Sequence, residues 1–139
     1  MSRKYEMTID GRAVPAASYT EIRNPSTGAV VGLCPEGSID NLEQAVAAAE
    51  RAFPDWRRTK NEARKAACQR LAEIITKNAG ELAVLLTQEQ GKPLKGLGSE
   101  FELGGCAAWT GYTASLELPV QVIEDSPGKH VELHREPIG

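Results

Sequence analysis

The sequence contains three cysteines, which are candidate nucleophiles, but the residues around them argue against that role. Cys34, Cys68 and Cys106 are widely spaced and form no Cys-x-x-Cys pair, so neither a disulfide framework nor a zinc site is predicted. A reactive thiolate needs a base or a cationic neighbour, whereas Cys106 is flanked by glycine and alanine. We interpret Cys106 as a packing thiol at a close helix contact, and we expect reduced, buried thiols throughout.

The two histidines, His130 and His134, are four residues apart, a spacing that suits metal binding on a helix. In a strand, they share one face with Glu132, while Arg135 lies on the other face. Two histidines without a third ligand do not complete a metal site. Three other glutamates form no pattern that identifies a general acid or base: Glu100, Glu102 and Glu117.

Two glycine-containing segments match nucleotide-binding motifs only in part. The segment 96–101 begins like a dinucleotide fingerprint, but it lacks the third glycine and the preceding hydrophobic strand. Gly91 and Lys92 hint at a phosphate loop, yet Leu86 stands where its first glycine belongs and Pro93 replaces the magnesium-binding hydroxyl. We interpret Gly91 as a helix C-cap residue with φ > 0. The residues themselves therefore identify no catalytic and no cofactor-binding group.

Composition indicates an ordinary globular protein without a nucleic-acid footprint. The 139 residues are 41% hydrophobic, and 16 basic against 19 acidic residues give a net charge of −3. One basic cluster is interpreted as a solvated face around a helix start. It comprises Arg57, Arg58, Lys60, Arg64, Lys65 and Arg70. No stretch is apolar enough for a membrane span, and charges stand where a signal peptide needs an apolar run, so we predict a soluble, cytoplasmic protein.

The first part of the chain is predicted to form short strands joined by tight turns. Asp10-Gly11 is a strong hairpin signal between two short apolar segments. The residues 20–23 and 29–34 read as a second strand pair, with the turn Asn24-Pro25-Ser26-Thr27-Gly28 between them.

Helices are predicted next, from three successive units of cap, apolar stripe and stop. Ser38 or Asp40 caps the first, which Pro54 ends. The second is predicted to open at Thr59 with Glu62, on the spacing of a capping box. A third is predicted to open at Asn78 with Glu81, and it ends at Gly91. The residues 94–118 are less regular because several glycines oppose a helix, so either two backbones approach closely there or the helix is broken.

The final segment reads as two strands, 119–123 and 129–136, joined by the turn Ser126-Pro127-Gly128. Eight phrases along the chain, taken in order, are similar to the N-terminal region of the aldehyde dehydrogenase superfamily, of the succinate-semialdehyde or general aldehyde dehydrogenase type. They are Ile9-Asp10-Gly11, Asn24-Pro25-Ser26-Thr27-Gly28, the run 45–49, Ala52-Phe53 with Trp56, Glu62-Ala63-Arg64, Glu81-Leu82-Ala83, Glu89-Gln90-Gly91-Lys92-Pro93-Leu94 and Arg135-Glu136-Pro137-Ile138-Gly139.

The resemblance implies an α/β fold, α+β within this fragment, and a parent enzyme that oxidises aldehydes to carboxylic acids with NAD or NADP. Residues 1–118 would be the N-terminal part of the cofactor-binding domain, and 119–139 the first strands of a strand-rich oligomerisation arm. The family's chemistry-bearing residues lie beyond the position that matches Gly139, so none is carried over. We therefore expect this fragment to be an inactive scaffold that binds no cofactor by itself.

Two residues are carried over as a hypothetical monovalent-cation site, because some family members bind such an ion at the matching positions. They are Ile22, through its carbonyl oxygen, and Glu89. The run 104–108 departs from the larger residues usual near the family's substrate entrance, so no substrate is inferred. The expected partner is the remainder of the enzyme, or a second copy through 119–139, with no nucleic acid or membrane. The alternative is a stand-alone interaction module without catalysis, whose exposed strands recruit a partner.

Overall fold

The computed structural model describes residues 3–138, in which seven strands and three helices follow one another in a mixed α/β order. The strands are β1 (Arg3–Lys4), β2 (Met7–Ile9), β3 (Arg12–Val14), β4 (Ser18–Arg23), β5 (Val30–Glu36), β6 (Gln121–Ser126) and β7 (Lys129–Leu133). The helices are α1 (Ile39–Arg58), α2 (Asn61–Gln90) and α3 (Ser99–Ser115). This mixture of elements confirms the predicted fold class.

Strands from the first 36 residues form a three-stranded sheet with the order β1-β5-β4. The antiparallel pair of β4 and β5 confirms the second predicted strand pair, and its register shifts between Ile22 and Arg23. Strand β1 pairs parallel with β5, which local sequence signals did not predict. The hairpin of β2 and β3 also confirms its prediction, because Asp10 and Gly11 both have positive φ at its turn.

Helix α1 begins where one of the two predicted caps stands and ends later than predicted. Ser38, and not Asp40, is the N-cap, and it forms a capping box with Asn41. The predicted stop at Pro54 is wrong, since the helix continues to Arg58. Proline has a helical φ but lacks an N–H donor, and its ring crowds the carbonyl four residues earlier. The turn after it is closed by the Thr59 N–H, which lies 3.1 Å from the Asp55 and Trp56 carbonyl oxygens.

Helix α2 is one continuous helix of 30 residues, so the predicted division into two helices is wrong. Thr59 lies outside it as the C-cap of α1, and Lys60 begins α2 without a side-chain cap. Asn78 lies mid-helix, where its amide donates to the Ile74 carbonyl at 2.7 Å. Polar and acidic residues three apart also occur on exposed helix faces, so the capping spacing alone did not mark a boundary.

Helix α3 is regular despite its glycines, and of the three within it only Gly111 faces a neighbouring element. A Cβ built on Gly111 would lie 4.0 Å from Ala72 Cβ and from the Gln69 side chain on α2. Gly104 and Gly105 instead have open space at the same position. Gly111 thus faces α2, but at an ordinary contact distance that a Cβ would tolerate, and packing against α2 supports the helix.

The core of this chain is small. Four alanines are its buried apolar residues within the described part of the chain: Ala48, Ala72, Ala83 and Ala114. The hydroxyl of buried Ser99 is paired with that of Thr87 at 2.8 Å. The accessible surface is 10359 Å², whereas a folded monomer of this length exposes about 7,000 Å². About 3,000 Å² more surface than usual is thus exposed, much of it apolar.

The exposed large apolar side chains lie on all three helices and on the last hairpin. They include Ile39, Leu42, Val46, Leu71, Ile74, Phe101, Trp109, Tyr112, Val122 and Ile123. Strands β6 and β7 pair antiparallel, which confirms the predicted strand pair, and Gly128 has a positive φ at their turn. Nearly every residue of this hairpin is exposed.

Candidate functional site

The two residues of the hypothetical cation site line one cleft, between the sheet and the end of α2. The cleft encloses about 340 Å³, and its walls come from β4, β5, the residue after β1, and α2. It is lined by Tyr5, Ile22, Gly32, Cys34, Leu85 and Glu89. The fold thus brings Ile22 and Glu89 together from distant parts of the sequence.

The sheet side of the cleft depends on Gly32, which lies opposite Ile22 in the register of β4 and β5. A Cβ built on Gly32 would lie 2.9 Å from Tyr5 Cε2 and 3.2 Å from the Arg3 carbonyl oxygen. The backbone of Tyr5 donates to the Leu33 carbonyl at 3.1 Å. Only a glycine at position 32 therefore lets the Tyr5 ring form this wall. Sequence reasoning missed Tyr5 because no local signal marks a parallel strand pair.

The helix side of the cleft is set by contact between the turn 24–28 and the end of α2. Gly91 has φ 71° and donates its N–H to the Thr87 carbonyl at 2.8 Å, which confirms the predicted C-cap. A Cβ on Gly91 would lie 2.6 Å from Pro25 Cγ. The turn itself is closed by Asn24, whose side chain accepts from the Ser26 N–H at 2.9 Å. The turn and the helix end therefore fix Ile22 relative to Glu89.

The donors of this cleft are of the kind that an alkali cation prefers. A backbone carbonyl and a carboxylate are both oxygen ligands, and such ions are bound by oxygen. Among residues 3–138, Glu89 forms no ion pair, and the nearby cation Lys92 is engaged by Glu102. The carboxylate of Glu89 is exposed and available to a cation.

The cysteines lie at three separate places, and the prediction that they are buried is wrong. Cys34 and Cys106 are exposed and Cys68 is half-buried, all three as free thiols. The exposure of Cys106 means that the interpretation of this residue as a packing thiol is also wrong. The Cys34 thiol donates weakly to the Pro35 carbonyl at 3.9 Å. Nothing in these contacts activates a thiol.

The histidines share a strand face with Glu132, as predicted. His130 Nε2 lies 3.0 Å and His134 Nε2 lies 2.8 Å from the Glu132 carboxylate, and His130 Nδ1 lies 3.2 Å from Asp125. The hydrogen bonds to Glu132 and Asp125 raise the pKa of His130, and those from the two histidines lower the pKa of Glu132. Within residues 3–138, no group of three or more His, Cys, Asp or Glu side chains is arranged to hold a metal ion.

The glycine-rich segment before α3 is a connection with no preceding strand, unlike a dinucleotide fingerprint. Gly98 begins the helix, and a Cβ there would collide with the Pro93 carbonyl oxygen. That carbonyl accepts from the Ser99 N–H at 2.9 Å. The glycine serves the tight fold of this connection and not a phosphate.

The profile of the aldehyde dehydrogenase family matches residues 14–139 of this sequence. The chain belongs to the aldehyde dehydrogenase family. A Pseudomonas protein named "probable aldehyde dehydrogenase" is 40% identical over 135 residues, which are 97% of this chain and 27% of that protein. A 3-sulfolactaldehyde dehydrogenase of Pseudomonas putida is 34% identical over 98% of this chain and 29% of its own length.

Solved structures of family members share the fold. An NAD-dependent aldehyde dehydrogenase from Sinorhizobium meliloti is 34% identical, with a TM-score of 0.78 over 87% of this chain and 26% of its own. A betaine aldehyde dehydrogenase from Staphylococcus aureus, solved with NAD⁺, gives a TM-score of 0.86 at 27% identity, over 95% of this chain and 28% of its own. The chain therefore spans slightly more than a quarter of these family members. In the part of the chain that the structure describes, none of the helices has the length and apolarity to cross a membrane.

Proposed function

We propose that this chain is the N-terminal part of an NAD(P)-dependent aldehyde dehydrogenase that oxidises aldehydes to carboxylic acids. The family match over residues 14–139 carries the proposal. Within that enzyme the chain serves as scaffold, because among residues 3–138 no side-chain base is hydrogen-bonded to any of its three thiols. The use of NAD is supported by the relative that is named as NAD-dependent.

We propose a different role for each of two unequal parts of the chain. Residues 1–118 would cover the cofactor-binding domain, and 119–139 would supply the first strands of an oligomerisation arm. The exposed apolar residues of α1 and α3 support the first assignment, since a domain face would bury them. The exposed β6–β7 hairpin, with free strand edges, supports the second. The free thiols support a reducing, cytoplasmic location.

Catalytic inactivity of the chain by itself is tested by incubating it with an aldehyde and NAD⁺ or NADP⁺. We expect no formation of reduced cofactor, while a complete family enzyme in the same assay forms it readily. The variants Cys34→Ala, Cys68→Ala and Cys106→Ala identify any thiol that acts. Turnover that one of these substitutions abolishes would contradict the scaffold proposal.

We also propose that the Ile22 carbonyl and the Glu89 carboxylate bind a monovalent cation. The support is their placement on one cleft and the absence of an ion pair to Glu89 among residues 3–138. Potassium should then raise the melting temperature of the chain at constant ionic strength, by mass action on the folded state. Glu89→Ala should abolish that increase, and Glu73→Ala, an exposed glutamate on the same helix, should keep it. An equal increase in both variants would reject the site.

A further inference from the structure

A second cleft lies at the other end of α2, where four arginines from three segments converge. It encloses about 400 Å³. Arg57 and Arg58 come from the end of α1, Arg64 from the first turns of α2, and Arg135 from the segment after β7. We name these four residues, together with Thr59, Glu136 and Pro137, the arginine cleft. The sequence placed three of these arginines on a solvated face, and the fold adds a fourth from far along the chain.

The arginine cleft carries more positive charge than its own carboxylates neutralise. Glu136 pairs with Arg57, and Asp55 pairs with Arg58 at 2.6 Å. Two carboxylates thus face four guanidinium groups, which leaves a local excess of two positive charges in a chain of net charge −3. Such an excess in one concave site attracts small anions.

One of the guanidinium groups is held in place before any ligand arrives. Arg64 is half-buried and donates to the Thr59 carbonyl, and its other nitrogen lies 3.4 Å from Asn61 Oδ1. These bonds use only part of its five donors. Arg135 forms no ion pair within residues 3–138, so its planar fork is available to bind.

We propose that the arginine cleft binds a small phosphate-type anion, such as inorganic phosphate, pyrophosphate or the phosphate of a small metabolite. Guanidinium forks from three chain segments suit a tetrahedral group with several acceptor oxygens, whereas a planar carboxylate takes one fork. The cleft is too small and too local for nucleic acid, whose footprint is an extended basic face. This site is separate from the proposed dehydrogenase function and does not depend on it.

The test is calorimetric titration of the 139-residue chain with pyrophosphate, at an ionic strength held constant with sodium chloride. The cleft variant is Arg58→Gln with Arg135→Gln. The control variant is Arg12→Gln with Arg70→Gln, which removes the same charge from exposed arginines outside the cleft. We expect the cleft variant to bind at least about tenfold more weakly, and the control to bind as the unchanged chain does.

A further variant distinguishes the contribution of the positive charge from that of the guanidinium geometry. Circular dichroism checks that the variants are folded. Arg135→Lys keeps the charge but lacks the fork, so it should lose part of the affinity. Arg58 and Arg135 are exposed, so circular dichroism of both variants should match the unchanged chain. Absence of pyrophosphate binding, or equal weakening in the control variant, would overturn the proposal. Competition by acetate at equal concentration would overturn the phosphate assignment.

Discussion

Two separate constraints at position 91 both disfavour a residue that has a Cβ atom. The left-handed φ of Gly91, 71°, disfavours any residue with a Cβ, and the Pro25 ring occupies the place where that Cβ would be. The first constraint was readable from the sequence, because glycine before Lys-Pro at the end of an apolar stripe indicates a C-cap. The second was not, since it depends on a contact with a turn far away in the chain.

Gly91→Val should therefore lower the free energy of unfolding by more than the φ penalty of about 1 kcal/mol. Gly80→Ala is the matched control, because Gly80 lies in α2 and a Cβ there meets nothing. Thermal or denaturant unfolding measures both.

A double-mutant cycle separates the two constraints. Pro25→Ala in the Gly91→Ala background should recover part of the loss, since it removes the ring that the new Cβ meets. If Gly91→Ala costs nothing, or if Pro25→Ala adds its own effect without coupling, the contact between turn and helix does not constrain position 91.

At the scale of elements, the strand pairs and the presence of helices were predictable, but several helix boundaries were not. The pairing of β4 with β5 followed from an Asn-Pro turn between two apolar runs. Pro54 and the Asn78–Glu81 spacing each suggested a helix boundary, but the chain continues helical through both. A helix-breaking or cap-favouring residue destabilises a helix by only a few kcal/mol or less, and the hydrogen bonds and packing of the neighbouring turns offset that loss.

The glycines of α3 offer a test of which helix positions are constrained by neighbours. Gly105→Ala should raise the free energy of unfolding by up to about 1 kcal/mol, because the backbone is helical and the added methyl meets open space. Gly98→Ala should lower it, because its Cβ would meet the Pro93 carbonyl oxygen.

Denaturant unfolding of both variants and of the unchanged chain measures these opposite changes in the free energy of unfolding. Destabilisation by Gly105→Ala would mean that another surface covers this face of α3 under the conditions of the experiment. The sequence predicted the weakness of this helix but could not say which glycine touches a neighbour.

On the scale of the whole molecule, the exposed apolar area is the dominant feature. An excess of about 3,000 Å² on one chain is well above the roughly 800 Å² that each partner buries in a standard-size interface. The cleft of Ile22 and Glu89 could be predicted as a pair only through family resemblance, and its walls required the fold. Three arginines of the arginine cleft belong to the one basic cluster of the sequence. Arg135 could not be added to them from the sequence, because the path of the final strands brings this residue to the cleft.

We expect the isolated chain to associate at rising concentration through these apolar faces. Leu42→Lys, at an exposed position on α1, should weaken association, while Gln44→Lys adds the same charge at an exposed polar position and should change it little. Sedimentation velocity over a concentration series measures the difference. A strictly monomeric chain across that series would contradict the expectation.

Helix α2, at 30 residues, is about 45 Å long and carries one charged cleft near each end. The distance along it from Arg64 to Glu89 is about 37 Å, whereas salt at physiological strength screens charges beyond about 8 Å. The two clefts therefore do not sense each other's charge. A cation bound at one and an anion at the other can act on each other only mechanically, through the backbone of the helix that joins them.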